Sequence, residues 1–367
     1  MLRQYHIRDY DFKLIILVVS LTVIGILAVG SANQSLQPRQ IAGFVLGFFL
    51  MTVLSLFDYS VLLRLYWIMY AVNIFLLVLV KEIGVERGGA QRWVNVFGIQ
   101  FQPSETAKIL LLLFFAQFIM KHKDEMDSIK VIGICVLLFI PPIALIYKQP
   151  DLSTSIMVVV LFCVILFVGG ISWKYIIMAV AVTVPTFIIL LTLILQPGQD
   201  ILEDFQQKRI LAWLYPDQYA AAEAYQQNNS VIAIGSGMLH GKGYNNNEFS
   251  SVKGGNFISE PETDFIYAVI GEEFGFVGGC TVIVLLILIA FECIMVARRA
   301  KDIAGTIIAA GVAALIGFQG IINISVATRV IPNTGIPLPF VSYGLTSLVS
   351  LYIGVGFVLN VRLQCKK

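Results

Sequence analysis

The sequence predicts an all-α polytopic membrane protein of about ten transmembrane helices, with a large extracytoplasmic loop between helices 7 and 8. Three observations lead there. Of the 367 residues 58% are hydrophobic and 13% charged, and the mean hydropathy of +0.84 lies far outside the soluble range. The apolar residues fall in runs of roughly 20, the length that crosses a bilayer. Nearly all the glycine, proline and polar patterning lies in alternate connections between those runs.

The first run, from residue 14 to about Gly30, follows a segment with Arg3, Arg8 and two aspartates. It is full length rather than a short signal core, so it reads as an uncleaved anchor. Further spans are expected at 41–57, 61–80, 106–120, 131–147, 152–170, 173–195, 264–297, 303–328 and 335–361. An even count puts both termini on one side. Lys121, Lys123 and Lys130 edge one short connection, Arg298, Arg299 and Lys301 fill another, and Lys366 and Lys367 close the chain. Short basic loops mark the cytoplasmic side. Residues 1–367 then form a single membrane domain, with 196–263 as an extracytoplasmic loop within it.

Several chemistries are excluded. Cys135, Cys163, Cys280 and Cys293 lie in apolar runs and Cys365 in the tail, so no disulfide framework is expected. The three histidines, His6, His122 and His240, are far apart and offer no metal cluster. Gly235–Gly243, GSGMLHGKG, is one residue short of a phosphate-binding P-loop and lacks its Ser or Thr. It would also face away from cytoplasmic nucleotides. Its glycines and Lys242 could bring backbone N–H groups close to an anion, or simply form a turn after a short helix at 230–234. A net charge of +2 says little about partners, and no nucleic acid is expected.

The acids are more informative. Ser259–Phe276, SEPETDFIYAVIGEEFGF, packs Glu260, Glu262, Asp264, Glu272 and Glu273 into the mouth and first turns of a span. Thr263 is expected to cap a helix starting near Asp264, and a carboxylate there suits the helix dipole. An acid at membrane depth is costly unless it pairs or works. Arg92, Lys108, Arg209, Lys242 and Arg329 are the available cations, and Glu272 and Glu273 read as mainly structural. Pro103 and Ser104 open another helix, with Glu105 and Lys108 on one face. Asp151 follows Pro150 at the start of a third. Ile331–Gly344, IPNTGIPLPFVSYG, contains three prolines that a continuous helix cannot accommodate. Broken backbone at membrane depth persists where protein or a watery cavity covers it.

Taken together these stretches resemble the SEDS family (shape, elongation, division and sporulation), which includes RodA, FtsW and SpoVE. The resemblance covers almost the whole chain. It runs through RW and QPSE in Arg92–Glu105, QPD at Gln149–Asp151, KRI and the later proline in Lys208–Pro216, and AIGSG and GKG in Ala233–Gly243. It continues through TDFIYAVIGEEFGFVG at Thr263–Gly278 and PNTGIPLPFVSYG at Pro332–Gly344. Glu262 stands where many members have His, and Leu345 and Thr346 replace the usual Gly and Ser.

The resemblance implies a peptidoglycan glycosyltransferase that polymerises lipid II outside the cytoplasmic membrane, for elongation or division. Asp264 matches the family's essential aspartate and is the candidate general base. Arg92, Lys108, Arg209 and Lys242 are the candidate cations for the polyprenyl diphosphate, with Glu105, Asp151 and Ser342 as further candidate substrate-binding residues. A divalent cation, Mg²⁺ or Mn²⁺, is implied with ligands unassigned, and no organic cofactor. The expected partner is a membrane-anchored class B penicillin-binding protein transpeptidase. The compact N-terminus leans toward the elongation branch. The alternatives are a lipid II flippase or transporter, and a scaffold for cell-wall synthases.

Overall fold

The structure, a computed structural model, describes residues 10–87, 90–96, 99–194, 204–219, 223–245, 251, 255 and 257–365. Its helices are α1 (Phe12–Ala32), α2 (Gln37–Leu56), α3 (Tyr59–Leu62), α4 (Tyr66–Ile83), α5 (Pro103–Lys121), α6 (Ile129–Tyr147) and α7 (Leu152–Val168). They continue with α8 (Trp173–Ile194), α9 (Asp204–Leu214), α10 (Glu223–Ser236), α11 (Ile266–Arg298), α12 (Ile303–Ala327) and α13 (Leu345–Leu363). Among the described residues eight spans are long and apolar enough to cross a membrane, α3 and α4 counting as one, and α7 and α8 contribute shorter apolar segments. The protein is a multi-pass helical membrane protein.

Local chemistry fixes several helix starts. Asp11, Asp58, Asp151 and Asp302 each accept a backbone N–H of the first turn, which satisfies a donor the helix leaves orphaned. Pro103 sits at the start of α5, where its missing N–H costs nothing. The most enclosed spans are α5, α13 and α12. Small residues let them approach. A Cβ on Gly311 of α12 would lie 2.3 Å from Leu112 of α5, and one on Gly47 of α2 would lie 2.8 Å from Tyr352 of α13. Lipid tails are as apolar as these side chains, so close van der Waals contact holds such helices together.

Three expectations are corrected. The last span starts at Leu345 rather than 335, because the residues before it form the proline-broken strap. α11 starts at Ile266 with Phe265 at its cap and no side-chain cap bond. The Thr263 hydroxyl donates instead to the Glu260 carbonyl at 3.0 Å, closing the preceding turn. The segment 196–263 is not simply a loop, since it contains α9 and α10, the latter longer than the short helix expected at 230–234.

Residues 85–101 hold three short antiparallel strands, β1 (Val85–Arg87), β2 (Ala90–Val96) and β3 (Ile99–Phe101), in that order across the sheet. Val85 pairs with Trp93 and Val94 with Phe101. Val94 is buried and its neighbour Asn95 exposed, as befits a half-buried strand. This small sheet carries Arg92 over the bundle.

Candidate active site

A polar cavity opens where β2, the first turns of α5 and α7, the end of α12 and the proline strap meet. Arg92, Glu105, Lys108, Asp151, Gln319 and Gly335 are among its lining residues. Four of these were expected from sequence, and the fold brings Arg92 together with Gln319 and Gly335 from segments more than 200 residues away.

Each wall is built by short-range rules. Glu105 and Lys108 lie three residues apart on α5, with Nζ 2.7 Å from Oε1 and both side chains only 5% exposed. A charge pair so enclosed survives because each ion neutralises the other. On α7, Asp151 Oδ1 accepts from the Thr154 N–H at 3.1 Å and lies 3.9 Å from Arg92 Nη1. Its Oδ2 accepts from the Gln102 amide at 3.4 Å. Arg92 also donates to the Pro150 carbonyl. The cap of α7, the entry to α5 and the sheet are thereby tied at one point.

Asp264 stands at the strap side. A Cβ on Gly335, which lines the cavity, would lie 3.4 Å from Asp264 Oδ2. Gly335 has φ +71, a conformation glycine adopts freely. The Asp264 carbonyl accepts from the Asn323 amide at 3.0 Å, and the same amide donates to Ile336 at 2.8 Å. Asp264 is half-buried. Burial pushes its carboxyl up to about 6, Arg209 and Arg92 pull it down, and nearby Glu260 raises it further. Burial likewise lowers Arg209 below the ordinary arginine range, while Asp264 opposes that shift.

Ser342 ties the strap to this turn. Its hydroxyl donates to the Thr263 carbonyl at 2.6 Å and accepts from the Leu338 N–H at 2.8 Å. Glu262 accepts from Asn33 at 3.3 Å, and its carbonyl accepts from the Tyr343 N–H at 2.8 Å. Thr346 accepts from the Gln102 N–H at 3.2 Å, joining α13 to the entry of α5.

The glycine-rich turn has a different use from anion binding. α11 is broken at Gly275, whose φ of 65 is not helical. The freed carbonyls of Glu272 and Glu273 accept from the N–H groups of Lys242 and Gly243 at 2.9 and 3.1 Å. Phe276 N–H donates in return to Met238 at 2.8 Å. Those amides are therefore engaged by the broken helix. Lys242 Nζ lies 2.8 Å from Glu272 Oε1, and Ser31 donates to Glu273, in line with a structural role for both acids.

The described residues contain no group of three or more His, Cys, Asp or Glu able to hold a metal ion. Glu105 and Asp151 reach the cavity already paired with cations, so this donor set does not fit a divalent ion held by protein ligands alone.

Trp93, Gln102, Thr154, Gln319 and Asn323 were not anticipated. Thr154 lies one turn after Asp151, and helical spacing would have found it. Gln319 and Asn323 are polar residues four apart inside an apolar helix, itself a signal of interior work.

The FtsW, RodA and SpoVE family model, described as a cell cycle protein, matches residues 10–367. The chain belongs to the FtsW/RodA/SpoVE family. Within it, the peptidoglycan glycosyltransferase MrdB of Escherichia coli (strain K12) is 34% identical over 97% of this chain and 94% of that one. The probable peptidoglycan glycosyltransferase FtsW of Geobacter sulfurreducens is 30% identical over 98% of this chain and 97% of its own length. This member of the FtsW/RodA/SpoVE family is a peptidoglycan glycosyltransferase. Its fold is similar to the crystal structure of the Thermus thermophilus rod shape determining protein RodA, with a TM-score of 0.69 and 27% identity over 96% of both chains. A chain from a peptidoglycan synthase complex that coordinates polymerization and crosslinking gives a TM-score of 0.78, with 29% identity over 96% of this chain and 97% of that one.

Proposed function

We propose that the chain polymerises lipid II into glycan strands at the extracytoplasmic face of the membrane, with Asp264 as general base. One observation carries this reading. The half-buried Asp264 carboxylate lies against Gly335, a lining residue of the polar cavity that also holds Arg92 and Lys108.

The chemistry follows from that arrangement. An acceptor hydroxyl oxygen forms a bond to the anomeric carbon of the donor sugar as the bond to the diphosphate oxygen breaks. Asp264 takes the hydroxyl proton, and a carboxyl held near 6 is ionised at neutral pH yet basic enough to accept it. The leaving diphosphate carries away the bonding pair and gains negative charge. Arg92, Arg209 and Lys108 are the cations proposed to stabilise it in a site poor in water. Lys242 is held by Glu272, and geometry favours a structural role for it. Glu105 and Asp151 orient Lys108 and Arg92, and Ser342 fixes the strap beside Asp264. A divalent cation would supply further charge to the diphosphate and would need phosphate oxygens as ligands.

On this reading both termini are cytoplasmic, which the short basic connections around Lys121–Lys130 and Arg298–Lys301 support. The likeness to a chain of a synthase complex supports a class B penicillin-binding protein as partner. Affinity purification from membranes that recovered no such transpeptidase would remove that part of the proposal. For the activity, purified protein is given lipid II in detergent, and wild type is compared with Asp264→Asn. Glycan polymer from wild type alone supports the reading. Polymer from both sinks the assignment of Asp264, and movement of lipid II across vesicles without polymer replaces it with a transporter.

A further inference from the structure

α12 carries two polar side chains one turn apart, and they are used differently. The Asn323 amide holds the carbonyls of Asp264 and Ile336. Gln319, four residues earlier on the same face, lies about 6 Å deeper along the helix axis. It is 1% exposed and lines the polar cavity, yet its Oε1 has no hydrogen-bond partner among the described residues. An amide oxygen sealed in that way is costly in an apolar helix. Polar side chains in membrane spans commonly bond one helix to another. The Gln319 oxygen bonds none of the described helices, so helix packing does not account for it.

The rest of the lining narrows what can meet it. Glu105 and Lys108 hold each other, and Asp151 is held by the Thr154 N–H, Gln102 and Arg92. The other buried side-chain atom of the lining without a partner among the described residues is Arg92 Nε, a donor. The cavity therefore offers one unmet acceptor on α12 and one unmet donor on β2. An ionised diphosphate accepts hydrogen bonds and donates none, so it answers Arg92 and leaves Gln319 unmet. A secondary amide answers both, because its N–H and its carbonyl point to opposite sides of one plane. The lipid-linked substrate carries such amides on its sugars and in its peptide. On the sugar that bears the diphosphate, the acetamido group stands on the carbon next to the anomeric one, beside the bond that is exchanged. The peptide begins further from that bond.

We propose that Gln319 accepts the acetamido N–H of the donor sugar while Arg92 Nε donates to the acetamido carbonyl, which fixes that sugar between α12 and β2. The inference rests on the lipid II reading above and adds to it a specificity-determining residue. It gives α12 two tasks one turn apart, with Asn323 setting the candidate base and Gln319 the sugar that the base works on.

The test uses the full-length protein in detergent with lipid II and two synthetic analogues. In one, oxygen replaces the acetamido nitrogen of the donor sugar, which keeps the carbonyl and removes the N–H. In the other, the first amide of the peptide is N-methylated. Wild type should lose roughly ten- to a hundredfold in kcat/KM on the ester, the effect of leaving a buried amide oxygen unmet, and should treat the N-methyl analogue like lipid II. Gln319→Leu should fall on lipid II to the wild-type value for the ester and no longer separate the two substrates. Its thermal midpoint should hold or rise, because an apolar side chain of similar size replaces an unpaired amide. Displacement of dansylated lipid II should show the same loss of discrimination in binding, since the contact is made before transfer. A wild type that does not separate the ester from lipid II, a Gln319→Leu variant that separates them as wild type does, or discrimination that falls on the N-methyl analogue instead each overturns the assignment. Gln319-dependent discrimination in binding by a wild type that makes no polymer supports the contact and sinks the polymerase reading, so the two failures are distinguishable.

Discussion

The Asn323 side-chain amide holds the backbone carbonyl of Asp264 at 3.0 Å, fixing the turn that presents the carboxylate. Asn323 is 1% exposed and also holds the Ile336 carbonyl of the strap. It therefore sets the distance between the candidate base and the cavity wall. Asn323→Ala leaves two carbonyls short of a donor, at a cost of about 1–3 kcal/mol each if water cannot reach them. Polymerisation should fall at least tenfold while the variant still inserts. Thermal unfolding in detergent and a polymer assay on the same sample check this, and wild-type turnover would exclude a positioning role.

Burial holds the Asp264 carboxyl at about 6, so kcat/KM should rise with pH along an acid limb with a midpoint near that value. Arg209 lowers the carboxyl by its charge. Arg209→Gln should move the limb upward, by about one unit for loss of a close opposite charge. A limb that stays in place or moves down would show that Arg209 does not act on the base. Linkage has the opposite sign for folding. A carboxyl raised from about 3.9 in the unfolded chain stabilises the fold most below that pH. This contribution is lost as pH rises through the folded value near 6.

The Glu105–Lys108 pair is enclosed at 2.7 Å with both side chains 5% exposed. Lys108→Met strands a carboxylate and should destabilise the protein by about 3–5 kcal/mol. Glu105→Gln combined with Lys108→Met should recover much of that stability without recovering activity. Thermal midpoints and turnover of the single and double variants separate the two roles. Recovery of both would make the pair purely structural.

Gly241 and Gly275 meet where α11 breaks. A Cβ on Gly241 would lie 2.1 Å from the Glu273 carbonyl oxygen, and one on Gly275 would lie 2.4 Å from the Gly241 nitrogen. Both residues have positive φ. Gly243 shares a positive φ of 98 but a Cβ there meets nothing within 4 Å, so the clash alone should make Gly241→Ala reduce the yield of folded protein more than Gly243→Ala. Size-exclusion recovery of the two variants checks the ranking.

The sequence by itself determined the solvent, the helical class and most of the helix starts, because hydropathy, proline and capping residues act within a few positions of where they stand. It also marked Asp264, Glu105, Lys108 and Asp151, since charge at the mouth of an apolar span is conspicuous on its own. The Glu105–Lys108 pair was legible because i,i+3 spacing is local. Tertiary structure alone decided that Arg92 meets Asp151 across 59 residues and that Asn323 grips Asp264 across 59 more. It also decided that the glycine turn completes a broken helix rather than cradling an anion. Those outcomes depend on which orphaned carbonyls and charges the packing brings within about 3–4 Å, a distance that chain order does not encode.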